Sequence, residues 1–335
     1  MRRLFVIFVS ALMVMILAAP PGFADVGINS STFPDDAFRN YVSTVFDQDG
    51  DGIITDDEIA GITGIEAVGL GIESLKGIEY FTALEYLTCD GNNITEIDLS
   101  GNPNFIGLAA SNNQIQSLNV SNNPKLYQMW VNNNQLTAID VSNNTELAIL
   151  ECNNNFLTEL NISSNPNLKE LSFGNYFDDG SDPLQQEGNR VRNIDLSNAP
   201  LLYSLQCAAN EMDALDISNN PGLVNLDCGG NNISKLDVSI HSGLVNLSCW
   251  GNPLGTLDVT NNPEIEYLTC SGNGLTELDV SKNTKMLGLA CENNQFSALD
   301  LTHCPKLYQV WFHDNKVTEI DFSTESRTRN NRLRQ

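Results

Sequence analysis

One asparagine recurs eleven times, at residues 92, 113, 134, 155, 189, 210, 231, 252, 273, 294 and 315, and every interval is 21 residues except the one from 155 to 189. Chance does not produce such a column. It makes the chain an array of one short unit, and arrays of this period bury their apolar faces by stacking on each other rather than around a single core. Aligned on the asparagine as ninth residue, the unit reads Leu-x-x-Leu-x-Cys-x-x-Asn-x-Leu-x-x-Leu-Asp-Val-Ser. Its copies start at Leu84, Phe105, Leu126, Leu147, Leu168, Leu202, Leu223, Leu244, Ile265, Met286 and Leu307.

Within each unit the apolar fourth and sixth residues alternate with outward ones, which is the period of a short strand. Stacked units place those strands in one parallel sheet at about 4.8 Å per rung, so eleven rungs span on the order of 50 Å. The ninth-residue asparagine follows the strand where the chain must turn, and its amide can pair with backbone groups there. A proline near the end of most units (Pro103, Pro124, Pro166, Pro200, Pro221, Pro263, Pro305) cannot donate a backbone hydrogen bond and marks the turn between repeats. The aspartate of the second half, from Asp98 to Asp321, lies between inward apolar residues and points outward, where it caps a local turn.

This pattern resembles the bacterial leucine-rich repeat family in its short, extracellular, 21-residue form, and it is similar in plan to the internalins, whose repeats are slightly longer. The resemblance covers about three quarters of the chain. It implies an α/β-type repeat solenoid, a horseshoe or arc with a parallel concave sheet, and a secreted binding protein rather than an enzyme. A scaffold of this kind leaves the ligand to its surface residues.

Ahead of the repeats, Arg2 and Arg3, an apolar run from Leu4 to Ala19 and the small-residue site ending at Ala24 read as an export signal over residues 1–24. The exported chain is expected to be secreted or held at the cell surface, with no transmembrane segment. Residues 25–63 are expected to form an N-terminal cap. In it Pro34 to Phe46 reads as a helix with Phe38, Val42, Val45 and Phe46 on one face. Asp47 to Glu58 then matches a twelve-residue EF-hand loop throughout: Asp47, Asp49 and Asp51 as carboxylate ligands, Gly52 for the sharp turn, the Ile53 carbonyl, Thr55 through water and Glu58 with two oxygens. The cofactor expected is therefore calcium. Residues 62–83 form a degenerate first repeat (Ile62, Ile65, Leu70, Ile72, Leu75), residues 84–322 hold the eleven repeats, and 323–335 form a basic tail.

Charge narrows the partners. With 17 Lys plus Arg against 42 Asp plus Glu, the net charge is −25; loss of the signal's two arginines gives 15 − 42 = −27. Such an excess repels phosphate backbones, so nucleic acid is excluded as a partner. Of the eight cysteines, seven (Cys89, Cys152, Cys207, Cys228, Cys249, Cys270, Cys291) occupy the sixth position, where other units carry Ala110, Val131, Phe173 and Phe312. That column is apolar, and its cysteines act as small hydrophobes. Cys304 stands in a slot usually filled by asparagine.

The candidate ligand surface is aromatic. Trp130, Trp250 and Trp311, with Tyr86, Tyr127, Tyr203, Tyr267 and Tyr308, all fall at outward positions of the repeat strands or just beside them, and the third and eleventh units share the phrases KLYQMW and KLYQVW. These residue types anchor binding interfaces. An extracellular protein ligand is expected, with a glycan as the alternative and a structural matrix role, self-associating at the C-terminal edge, as a third. A thirteen-residue insertion within 174–188, carrying Tyr176, Phe177, Asp178, Asp179 and Asp182, is expected to project beside the same face. No nucleophile motif accompanies His241, His303 or His313, so no catalytic residue is assigned.

Overall fold

The computed structural model describes residues 25–175 and 188–317, together with the backbone of two short strands at 320–321 and 332–334. The signal segment, most of the repeat-five insertion and the rest of the tail lie outside the described residues.

Thirteen strands form a single parallel sheet that follows chain order from Gly64–Glu66 through Tyr86–Thr88 to Gln309–Trp311, with Arg332–Arg334 at the far edge. Eleven of these are the repeat strands, each only three residues long. The first is the degenerate repeat, with Ile65 opposite Leu87, and the last comes from the tail, with Leu333 opposite Val310. The middle residue of each repeat strand points into the solenoid and is almost fully buried, whereas its two neighbours line the concave face. The fold is thus the leucine-rich-repeat solenoid that the period implies.

What makes each rung turn after so short a strand is its eighth and ninth residues. The eighth adopts the left-handed conformation at Gly91, Asn112, Asn133, Asn154, Ala209, Gly230, Gly251, Gly272, Asn293 and Asp314. Glycine and asparagine tolerate that geometry best, which accounts for their enrichment there. The ninth, the asparagine, then joins two rungs. Asn231 is representative: its Nδ2 donates to the carbonyls of Cys207 on the preceding rung (3.1 Å) and Cys228 on its own (3.0 Å), and its Oδ1 accepts from Met212 N–H (3.0 Å). These groups are buried, and each carbonyl is shared with the neighbouring ladder asparagine (Asn210 on Cys207, Asn252 on Cys228), so the amides link successive rungs in a continuous chain.

A second asparagine ladder runs through the turn before the prolines. Asn123 donates to the carbonyls of Leu99 and Asn102, Asn144 to Val120 and Asn123, and Asn283 to Val259 and Asn262. Three residues break the run of asparagine in this slot: Ala199 offers no side-chain donor, His241 places Nε2 3.2 Å from the Ile217 carbonyl, and the Cys304 thiol donates to the carbonyls of Val280 and Asn283. On the opposite side from the sheet, Glu96–Asp98 pairs with Ser117–Asn119, and Leu299–Asp300 with Ile320–Asp321.

The N-terminal end is closed by a small cap. β1 (Val26–Gly27) pairs antiparallel with β2 (Ile53–Ile54), and α1 (Asp36–Val45) and α2 (Asp56–Ala60) flank the acidic loop. Phe33, Phe38, Val42, Ile54 and Ile59 are buried in one continuous core with the first rungs. Asp35 performs two tasks: Oδ1 caps α1 by accepting from Phe38 N–H, and Oδ2 accepts from Glu73 and Ser74 of the degenerate repeat. Two residues differ from expectation. Val45 is 49% exposed, because the surface covering Phe38 and Val42 ends before the last turn of α1; Tyr41, whose hydroxyl accepts from Glu66 N–H, helps anchor the helix instead. Leu70 is 45% exposed, since its N–H is held by Asn92 Oδ1 in a turn that directs the side chain outward.

Candidate functional site

The acidic loop is folded by its own side chains. Asp47 accepts from Gly50 N–H (2.9 Å) and Gly52 N–H (3.1 Å), Asp49 from Asp51 N–H, and Asp51 from Ile53 N–H. Both glycines have positive φ, 74° and 80°, so the chain doubles back within five residues. Thr55 and Glu58 form a capping box at the start of α2, and Glu58 also accepts from Gln48 N–H across the loop (3.0 Å). Hydrogen bonds from Thr55 N–H, Gln48 N–H and the Thr55 hydroxyl hold the Glu58 carboxyl below its ordinary value against a smaller opposing effect of burial. The outcome is that carboxylate oxygens of Asp47, Asp49 and Glu58 lie within 4.8 Å of one another. Three hard oxygens at that spacing suit one divalent cation of calcium's size and ligand preference. Of the other expected ligands, the Asp51 carboxylate is not in that cluster, and Ile53 and Thr55 lie in the same loop.

The concave face carries the aromatics. Tyr86, Tyr127, Tyr203 and Tyr308 are 44, 41, 38 and 45% exposed, and Trp130, Trp250, Trp311 and Tyr267 are half-buried. Tyr267 and Tyr308 approach hydroxyl to hydroxyl at 3.1 Å across the intervening rung, and the Tyr203 hydroxyl donates to Glu170. Trp250 differs from the other two tryptophans. Its indole rests on Gly229 and Gly230, filling the space that a Cβ at either would need, so part of its ring serves packing. The insertion's aromatic and acidic residues lie outside the described residues; its base is pinned by Asn175, which accepts from Asn189 N–H and donates to the Asn189 carbonyl.

Behind this face the seven column cysteines are buried thiols, with no disulfide among them. Burial raises each thiol, to about 12 for Cys291 and further for the rest, with a smaller contribution from neighbouring acidic groups or thiols. They are core atoms rather than nucleophiles.

The solved functional domain of InlJ from Listeria monocytogenes, which includes a cysteine ladder, superposes with a TM-score of 0.82 at 34% identity, over 90% of this chain and 64% of that one. In sequence, Internalin J of Listeria monocytogenes serotype 4b (strain F2365) is 37% identical over 70 residues, 21% of this chain and 8% of the relative. The chain has the leucine-rich-repeat solenoid fold and is similar to these Listeria proteins. It spans under two thirds of the InlJ domain and a small part of full-length Internalin J. The internalin InlF of the same species aligns over 90% of this chain and 96% of its own, with a TM-score of 0.71 at 21% identity, a likeness of fold. No family model matches the chain. Among the described residues no helix is long and apolar enough to cross a membrane.

Sequence reasoning left two features without a role. The second asparagine ladder was signalled by asparagine preceding proline at the same 21-residue interval. The glycines beneath Trp250 were signalled only by their place one rung earlier.

Proposed function

We propose that the protein is a secreted recognition or adhesion module, in which a calcium-stiffened cap closes one end of the solenoid and the aromatic concave face takes an extracellular protein ligand. The observation that carries this reading is the accumulation of tyrosine and tryptophan on the solvent side of a sheet whose other side already holds the core. Folding gives no reason for those residues to collect there, and they are the types that dominate binding energy at interfaces. The internalin-like architecture supports the same role. The test is capture from extracellular and host-surface material by the mature protein and by a Trp130→Ala, Trp250→Ala, Trp311→Ala variant. A ligand lost only with the variant is expected; an unchanged set sinks the reading.

For the cap, calorimetry is expected to find one dominant calcium site with Kd in the range of about 10⁻⁴ to 10⁻³ M found in extracellular modules. Glu58→Gln removes one of the three converging carboxylates, so it should weaken binding at least tenfold, and saturating calcium should raise the melting temperature of the unmutated protein only. Equal affinity in the variant would place the ion elsewhere.

A further inference from the structure

The concave face carries the same surface twice. Residues 85–88, 106–109 and 127–130 read EYLT, IGLA and YQMW on three successive rungs; residues 266–269, 287–290 and 308–311 read EYLT, LGLA and YQVW on three others. At the outward positions (second, third and fifth of each unit) the two triplets agree at eight of nine sites, the exception being Ile106 against Leu287. At the inward positions (first, fourth and sixth) they agree at only four of nine: Leu84/Ile265, Phe105/Met286, Ala110/Cys291, Met129/Val310 and Val131/Phe312 differ. A scaffold alone would constrain the core and leave the surface free to drift. At the second, third and fifth positions the face is thus held constant, whereas the seventh differs in all three pairs (Asp90/Ser271, Ser111/Glu292, Asn132/His313).

The register makes the identity three-dimensional. Tyr86, Gly107 and Gln128 lie in one lateral row across the sheet and Thr88, Ala109 and Trp130 in the next; Tyr267, Gly288, Gln309 and Thr269, Ala290, Trp311 repeat both rows. In each copy the tyrosine ring leans over the neighbouring glycine, with Cδ1 2.9 Å from where a Cβ at Gly107 or Gly288 would stand. The glycine is thus what lets the ring lie across to the next rung. Each subsite combines that ring with a second tyrosine, a tryptophan and a glutamate, Glu85 or Glu266.

Two further facts fix the chemistry of the occupant. Over the second, third, fifth and seventh positions of all eleven units, the face carries Glu85, Asp90, Glu151, Glu170, Asp227, Glu266 and Glu292 against Lys169 alone among lysine and arginine. Aromatic rings edged by carboxylates attract a cationic group through both the ring quadrupole and the charge. Moreover, the subsites are related by translation along the solenoid and not by a two-fold axis, so they point the same way, eight rungs or roughly 38 Å apart at about 4.8 Å per rung. A two-fold dimer would present its epitopes in opposed directions; a head-to-tail polymer presents them in parallel.

We infer that these are two equivalent subsites for lysine or arginine side chains of one extended, basic protein segment whose epitope repeats head to tail along the acidic concave face. The inference rests on the recognition role proposed above and names the partner's chemistry. An extended chain reaching both subsites needs about 12 residues at 3.3–3.6 Å each.

The experiment titrates the full mature chain with two probes, an arginine tetrapeptide and a poly-L-arginine of about 20 residues, at physiological ionic strength. The tetrapeptide should bind two equivalent sites, and Trp130→Ala or Trp311→Ala should each reduce the stoichiometry from two to one. The longer probe should bind one to one, about 100-fold more tightly or better, an advantage lost in either single variant. Because neither substitution changes the charge, non-specific attraction of a polycation to an acidic protein would leave affinity and stoichiometry unaltered, and that result overturns the proposal. So does aromatic-dependent binding of a neutral polysaccharide in place of the cationic probes. If a captured ligand depends on the tryptophans but is not displaced by poly-L-arginine, this inference fails while the recognition role stands. A captured set indifferent to the tryptophans removes the role itself.

Discussion

At the scale of the residue, stability rests on amides that serve two rungs each. Replacing Asn231 by alanine leaves the Met212 N–H unpaired in a buried turn and takes one of two amide donors from each of the Cys207 and Cys228 carbonyls, which keep Asn210 and Asn252. At about 1–3 kcal/mol for one orphaned group that water cannot reach, the expected loss is in that same range of about 1–3 kcal/mol, read as a shifted urea midpoint. A loss under about 1 kcal/mol would show that the turn relaxes to water and the ladder is decorative. This ladder was legible because one residue type fills every slot. In the ladder before the prolines the slot was legible as usually asparagine but its role was not, because Ala199, His241 and Cys304 also stand in it: Ala199 makes no such bond, whereas an imidazole nitrogen and a thiol reach equivalent carbonyls at the other two. The cluster of Asp47, Asp49 and Glu58 was readable from spacing, while the capping box that engages Thr55 and Glu58 depends on the three-dimensional path of the loop.

At the scale of the element, the cap is held from both directions. β1 pairs with β2 at the exit of the acidic loop, and Ile28 N–H donates to the Gly52 carbonyl at 2.8 Å. Removal of residues 25–28 should therefore free the loop, weaken calcium several-fold and lower the calcium-dependent part of the melting temperature, with the repeats still folded by circular dichroism. Unchanged calorimetric affinity would mean that the loop holds its shape without β1. Sequence reading found α1 and the loop but not this pairing, since two residues carry no detectable period. For Arg332–Arg334 the sequence offered only a basic tail without apolar period, with cover of the last strand's edge by that tail as one alternative, and its backbone extends the sheet beyond Gln309–Trp311.

At the scale of the whole molecule, the column of aspartates sets the response to acid. Asp140, Asp195, Asp216, Asp237, Asp258, Asp279 and Asp300 each accept from the backbone N–H two residues on. These bonds and those from the serine or threonine hydroxyls hold the carboxyls below their ordinary value; repulsion between rungs, as from Asp195 on Asp216, is a smaller opposing effect. A carboxyl lowered by folding stabilises the native state above its unfolded value of about 3.9 and loses that contribution as pH falls through the lowered folded value. Asp90, raised by burial, acts in the opposite sense but is one group against seven. The melting temperature should be nearly flat from about pH 7 to 5 and fall below about pH 4. Asp→Asn changes at Asp195, Asp216, Asp237 and Asp258 should flatten that acid limb, because Asn119 and Asn161 already accept the same bond without a charge. A limb as steep in that variant would locate acid sensitivity outside the column.

The central claim is that a uniform solenoid presents one specialised face. Oxidative footprinting of the mature protein, alone and with its captured ligand, tests it most directly. Protection is predicted at Tyr86, Tyr127, Trp130, Tyr308 and Trp311, with Phe156, Leu201 and Ile240, which are exposed and lie outside the concave strands, labelled equally in both states. Protection of Phe156, Leu201 or Ile240 with the concave aromatics unchanged would contradict the account.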